Sequence, residues 1–182
     1  VMSIGLMIGE DDPVIWRGAM VHNTITQLID DVEWGELDYL VIDLPPGTGD
    51  TQLTLLQSIP ITGSVIVTTP QDVALEDARR GLQMFAKHDT PVLGIVENMS
   101  TFVCPDCGSK HDIFGKGGGE RFAAENEMPF LGAIPLDPAI RTGGDEGAPI
   151  VMDEDSETGN SFREMVAETA DMVGILNRQS HS

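Results

Sequence analysis

Two thiols, Cys104 and Cys107, stand in a Cys-Pro-Asp-Cys-Gly run and are the only cysteines among the 182 residues. This spacing puts both sulfurs on one tight knuckle, where together they can grip one edge of a soft metal centre. Thiolates select zinc, Cu(I) or iron–sulfur clusters, and zinc and cluster sites commonly take about four ligands. One chain supplies half of that, so a second copy is expected to complete the set across a two-fold axis. Three further readings stay open at this point, and one of them, two inert cysteines, is disfavoured because Pro-x-Cys-Gly suits a chelating turn. Another is a mononuclear zinc knuckle with His111 as a third ligand. The third is a redox dithiol of thioredoxin type, which the position argues against: the motif does not open the first helix of a βαβ unit, where a helix N-terminus would stabilise the thiolate.

A second constellation begins at Leu40-Val41-Ile42-Asp43, which reads as a buried strand ending in a carboxylate, followed by Leu44-Pro45-Pro46-Gly47-Thr48-Gly49-Asp50. In open α/β sheets ligands bind beyond the carboxyl ends of the strands, which is where Asp43 is expected. Mg²⁺ keeps several waters and takes one or two protein carboxylates plus phosphate oxygens, so a single Asp suffices. Pro45 and Pro46 stiffen the exit from the strand, while Gly47 and Gly49 can turn bare N–H groups toward a γ-phosphate. The bland alternative is a solvated Asp before an ordinary turn.

The elements that must position these groups are visible as apolar runs at Ile4 to Ile8, Tyr39 to Ile42, Val65 to Val67, Val92 to Val96 and Phe130 to Ile134. Runs apolar at consecutive positions imply burial on both faces, as in a parallel sheet covered by helices on each side. Ile25, Leu28, Ile29 and Val32 share one helical face, as do Leu75, Ala78, Leu82 and Phe85. Ser161 with Glu164 has capping-box spacing ahead of a last helix through Met165, Val166, Ala170, Val173 and Leu176. The stretch from Asp145 to Gly159 reads as an exposed connection. The expected fold is α/β, a doubly wound, mostly parallel sheet with helices on both faces, in one domain over residues 1–182 with a Cys-x-x-Cys knuckle inserted at about 99–116.

Several segments together make a specific resemblance. Asp43 to Asp50 resembles the second switch of the Mrp-type iron–sulfur cluster carriers, a branch of the ParA/MinD-like P-loop ATPases. Trp16-Arg17-Gly18-Ala19-Met20 resembles that family's Trp-Arg-Gly-Pro-Met segment, with Ala19 in the usual proline position. Thr69-Pro70-Gln71, Glu97-Asn98-Met99-Ser100 and Ile134-Pro135-Leu136-Asp137 follow in the family's order, so the likeness covers nearly the whole chain. It implies a homodimer bridging a [4Fe–4S] cluster through Cys104 and Cys107, delivery to apo iron–sulfur proteins, and coupling to ATP binding and hydrolysis. It also implies that Asp43 helps hold Mg²⁺, that Gly47 and Gly49 sense the γ-phosphate, that Asn98 contacts the adenine, and that Pro135 borders the same base.

The family's phosphate loop is expected upstream of Val1, since no G-x-x-x-x-G-K-S/T occurs in the sequence. The run Gly115-Lys116-Gly117-Gly118-Gly119-Glu120 is no substitute. No Ser or Thr follows Lys116, and Glu120 places a negative charge where a phosphate cradle needs bare N–H groups, so the run reads as a turn entering a helix. The chain as given is therefore expected to turn over ATP poorly by itself. A ParA/MinD-like positioning ATPase with a structural zinc knuckle is the alternative function, and a non-catalytic interaction module is a third.

The charge balance narrows the partners. Thirty Asp and Glu against 10 Lys and Arg give a formal charge of -20, spread over the chain. Such a field repels phosphate backbones and anionic headgroups, which argues against nucleic acid and membrane surfaces and suits a salty cytoplasm. The helix carrying Glu164, Glu168 and Asp171 has no basic amphipathic face of the kind a membrane-positioning ATPase uses. No apolar run approaches the roughly 20 residues of a membrane span, and a cytoplasmic, reducing location is expected. Trp16 and Arg17 could pair with a phosphate or simply pack on each other, and His22, His88 and His181 show no partner at a telling spacing.

Overall fold

A computed structural model describes residues 1–3, 6, 18–44, 47 and 49–180, with the backbone alone at 18–22, 50, 51 and 180. Trp16, Arg17, Pro45, Pro46, Thr48, His181 and all of the expected Ile4 to Ile8 strand except Leu6 lie outside the described residues. The chain divides into two compact units, Val1–Ile61 and Thr62–Ser182.

The first unit holds helix α1 (Gly18–Asp30) packed on α2 (Asp50–Ser58). Ile25 of α1 and Leu55 of α2 are buried, as their helical spacing requires. Val32 falls beyond the end of α1. Tyr39 to Ile42, expected as a buried strand, is not one. The run carries no strand pairing, and Val41 is 89% exposed. Apolar, β-branched composition suits a strand only where a neighbouring ladder takes up its N–H and C=O groups, and no such ladder forms here among the described residues.

In the second unit three strands, β1 (Ser64–Thr68), β2 (Val92–Glu97) and the later β5 (Phe130–Ala133), form a parallel sheet in the order β1-β2-β5. Helices α3 (Asp72–Lys87) and α4 (Gly118–Glu125) pack on β1 and β2, and Ile66, Phe85, Ile95 and Phe122 of these elements are buried. On the opposite alternation Val96 and Leu131 belong to a buried cluster against which Val65 and, from α6 (Glu157–Ser180), Phe162, Met165 and Met172 pack. This is the expected doubly wound arrangement. Central β2 is buried at five consecutive positions from Leu93 to Glu97. Edge β1 is not buried throughout: Val67 is 60% exposed, on the face that α6 covers mainly over β2 and β5. Between β2 and α4 a small antiparallel hairpin, β3 (Phe102–Val103) and β4 (Lys110–His111), carries the cysteines.

The region from Asp145 to Gly159 is more ordered than expected. Helix α5 (Pro138–Glu146) runs into it, closed by Gly147 at φ 71°, then a single 3₁₀ turn spans Ile150–Met152. Helix α6 begins four residues before Ser161, whose Oγ donates back to the Glu157 carbonyl and caps nothing. Ser156 takes that role, its Oγ accepting the Gly159 N–H at 3.0 Å. The early start has a tertiary cause. Asp137 caps α5 by accepting the Ala139 N–H at 2.8 Å, while its other oxygen accepts the buried Thr158 hydroxyl at 2.6 Å. One carboxylate thus docks the first turn of α6 on the start of α5. Asp137→Ala removes a cap and orphans Thr158 together, for an expected loss of about 2 kcal/mol. Urea unfolding should show this as a lower midpoint at unchanged slope, whereas an unshifted midpoint would remove Asp137 from the account.

Candidate functional site

Parallel pairing aligns the strand ends. Thr68 faces Glu97, and Glu97 faces Ala133, so the segments beginning at Thr69, Asn98 and Ile134 leave the sheet side by side. Backbone bonds continue the ladder past the strands: Asn98 N–H donates to Thr68 O at 2.7 Å, and Ile134 N–H to Glu97 O at 2.8 Å. The structure therefore brings Asn98 and Pro135 together at the carboxyl edge of one sheet, the side on which open α/β folds bind ligands. Asn98 is half-buried. Its Oδ1 accepts the N–H of Met99, which sits at φ 55°, so the amide oxygen is engaged within its own turn.

A buried carboxylate next to Asn98 has a role that sequence reading missed. Glu97 is 3% exposed, and its Oε2 accepts the Gly119 N–H at 2.6 Å. The carboxylate lies at the N-terminus of α4, where helix dipole and open N–H groups favour negative charge. Gly118 and Gly119 make the approach possible, since a Cβ on Gly119 would lie 2.9 Å from the Glu97 Cβ. The pair of glycines opening a helix, after a strand that ends in Glu, was the available signal. As expected, Gly117 and its neighbours form a turn into a helix.

The knuckle hangs from this edge. Ser100 donates its N–H and its hydroxyl to Ile134 O at 3.0 and 3.1 Å, and Leu136 N–H reaches Thr101 O at 3.0 Å. Phe102 forms a parallel bridge with Leu136, so the base of the hairpin is an extension of the loop that carries Pro135. At its tip Gly108, at φ 69°, donates its N–H to Cys104 O at 2.8 Å, and Cys104 N–H donates to Ser109 O at 2.9 Å. The turn is thereby closed over free thiols, Cys104 half-buried and Cys107 exposed. Cys107 is held below the ordinary thiol range, first by the Ser109 hydroxyl, then by the Ser109 backbone N–H and by the Cys104 thiol.

His111 does not join the cysteines as a third ligand. Its Nε2 is 2.9 Å from Ser109 Oγ, and no group of three or more His, Cys, Asp or Glu side chains among the described residues is placed to hold one metal ion. Asp43, Gly47 and Gly49 belong to the first unit. Asp43 is exposed, Gly47 has φ 96° with open space around it, and Gly49 is the N-cap of α2 with no side-chain cap bond. No helix among the described residues is long and apolar enough to cross a membrane.

Comparison with known proteins adds the context. The family model described as NUBPL iron-transfer P-loop NTPase, within ParA, matches residues 1–170. An iron–sulfur cluster carrier protein of Pyrococcus horikoshii is 51% identical over 165 residues, covering 91% of this chain and 56% of the relative. Among solved structures, a nucleotide-binding protein from Archaeoglobus fulgidus in complex with ADP superposes with a TM-score of 0.66 at 39% identity, covering 76% of this chain and 56% of that one. The cell division ATPase MinD of Pyrococcus furiosus gives a TM-score of 0.61 at 25% identity, covering 86% and 59%. The chain thus spans about half the length of the relatives it matches.

Proposed function

Because the chain belongs to the NUBPL iron-transfer P-loop NTPase family, we propose that it is part of a carrier that holds a [4Fe–4S] cluster at a homodimer interface and passes it to apo-proteins, coupled to ATP binding and hydrolysis. One observation carries the reading: two free thiols close together on an exposed, backbone-braced knuckle, with no third ligand grouped with them among the described residues. Half a ligand set at a surface is what a shared, removable cargo needs, since a closed four-ligand site within one chain would bind structurally. Loss of His111 to Ser109 weakens the mononuclear zinc alternative.

Residues 1–182 are read as parts of one P-loop NTPase-type domain with the knuckle as an insert. Asp43 would help hold Mg²⁺, Gly47 and Gly49 would meet the γ-phosphate, and Asn98 and Pro135 would line the base. The bonds from Ser100 and Thr101 to the Ile134–Leu136 segment support coupling, because any shift of the base-lining loops is passed directly to the hairpin that carries the thiols. An acidic surface fits a salty, reducing cytoplasm and the absence of nucleic-acid or membrane partners.

Anaerobic reconstitution with iron and sulfide tests the cluster. About two iron atoms per chain, with the mass of a dimer, support the carrier, because one [4Fe–4S] is then shared by two copies; stoichiometric zinc with a monomer mass would sink it. The nucleotide role is tested in a version of this chain that also carries a phosphate loop. There Asp43→Asn should reduce Mg-ATP turnover by about a hundredfold or more, and unchanged turnover would take Asp43 out of the magnesium site.

A further inference from the structure

On the reading that Cys104 and Cys107 hold the cluster, we propose that Ser109, oriented by His111, is a positioning residue that loosens the hold of Cys107 on iron, so that Cys107 is the ligand given up first on transfer. The Ser109 Oγ lies 3.0 Å from Cys107 Sγ and 2.9 Å from His111 Nε2. A hydroxyl has one hydrogen to give, and a thiolate can only accept. With Cys107 as thiolate, the Ser109 O–H therefore donates to sulfur, and the Ser109 oxygen accepts from His111 Nε2–H, which fixes the imidazole tautomer. The hairpin keeps this line straight. His111 pairs with Phe102 in the β3–β4 register, and the two rings lie 6.4 Å apart. Lys110 is exposed, and Asp112 is engaged by the Thr101 hydroxyl at 3.1 Å, so the groups on Cys107 are the Ser109 hydroxyl, the Ser109 backbone N–H and the Cys104 thiol, and of these the hydroxyl alone is removed by changing one side chain outside the thiol pair.

The two sulfurs are thus unequal. Cys104 is half-buried and anchored by backbone bonds on both its N–H and its C=O, whereas Cys107 is exposed and carries the hydroxyl bond. A hydrogen bond to a thiolate ligand draws off negative charge that would otherwise be donated to iron, which weakens the bond and raises the cluster's potential. It also makes the sulfur a better leaving group. The transfer step is ligand exchange. A thiolate of the recipient forms a bond to iron, the Fe–S bond to Cys107 breaks with its electron pair leaving on sulfur, and the Ser109 O–H stays on the departing thiolate. No electron enters or leaves the cluster.

The test uses anaerobically reconstituted wild type, S109A, S109T and H111A, and reads iron content, the rate of cluster loss to excess chelator, and the cluster's reduction potential. S109A should load normally, release its cluster about threefold to tenfold more slowly, and show a more negative potential. S109T keeps the hydroxyl and should track the wild type, with H111A in between. Release rates and potentials that superimpose for wild type and S109A would overturn the inference, as would faster release from S109A. An S109A protein that fails to load while S109T loads also overturns it, because Ser109 would then build the site and not loosen it. If the wild type itself takes up no cluster, the carrier reading is what has failed, and the inference falls with it.

Discussion

Serine in place of Cys104 should leave the reconstituted protein with almost no iron and no cluster absorbance, against about two iron atoms per chain for the unaltered protein. The effect is large because symmetry doubles it. On the proposed shared cluster each substitution removes one ligand per chain, hence half of the four-sulfur set in a dimer, and a serine hydroxyl is a harder, poorer ligand for such a centre than a thiolate. Cys107→Ser should behave alike. The fold should be unaffected, because the hairpin is closed by the Cys104 and Gly108 backbone and by the β3–β4 pairing, not by the sulfurs. The measurement is therefore double: iron per chain and dimer mass should collapse while the urea midpoint stays within about 0.5 kcal/mol of the original. A variant that keeps its full iron content would show that the cluster sits elsewhere.

Gly118→Ala is expected to be the most destabilising single-methyl change in the sheet unit, by about 3 kcal/mol. A Cβ at this position would lie 2.4 Å from the Pro70 carbonyl oxygen and 2.9 Å from its Cα, and both are backbone atoms of a buried residue. Neither can swing aside as a side chain would. Relief requires α4 to back away from the end of β1, which pulls Gly119 from Glu97 and leaves a buried carboxylate short of its 2.6 Å donor. Gly144→Ala makes the matched control. It sits in α5 with nothing within 4 Å of its Cβ position and no positive φ, so alanine there should add about 0.5–1 kcal/mol through helix propensity. Equal urea midpoints for Gly118→Ala and the parent would refute the close approach. The Glu97–Gly119 bond braces the strand end that carries Asn98, so the proposed base contact of Asn98 predicts weaker nucleotide binding alongside the lost stability.

Much of the framework was legible in the sequence because it depends on local chemistry. The runs at Val65 to Val67, Val92 to Val96 and Phe130 to Ile134 became β1, β2 and β5. Each is short, rich in β-branched or large apolar residues, and flanked by helix-forming stretches. The run Tyr39 to Ile42 has the same composition and failed, since a strand also needs partners, and composition says nothing about where partners lie. Ser161 and Glu164 have capping-box spacing, yet helix α6 runs back past them because Thr158 is docked on Asp137, 21 positions away. A motif read along the chain cannot register a bond made across it.

The same division holds for the candidate site. Sequence alone determined which candidate ligands exist and how many: two thiols at chelating spacing, a carboxylate before a glycine-rich turn, and an Asn after an apolar run. Those are properties of residue type and of one to three bonds' worth of spacing. Tertiary structure decided their company. Register between parallel strands set Asn98 beside the Ile134–Pro135 turn, close packing of Gly118 and Gly119 brought a helix end onto Glu97, and antiparallel pairing of two-residue strands lined up His111, Ser109 and Cys107. Each of these rests on hydrogen bonds about 3 Å long between groups whose separation is set by the fold, and such directional contacts leave no periodic trace in the chain.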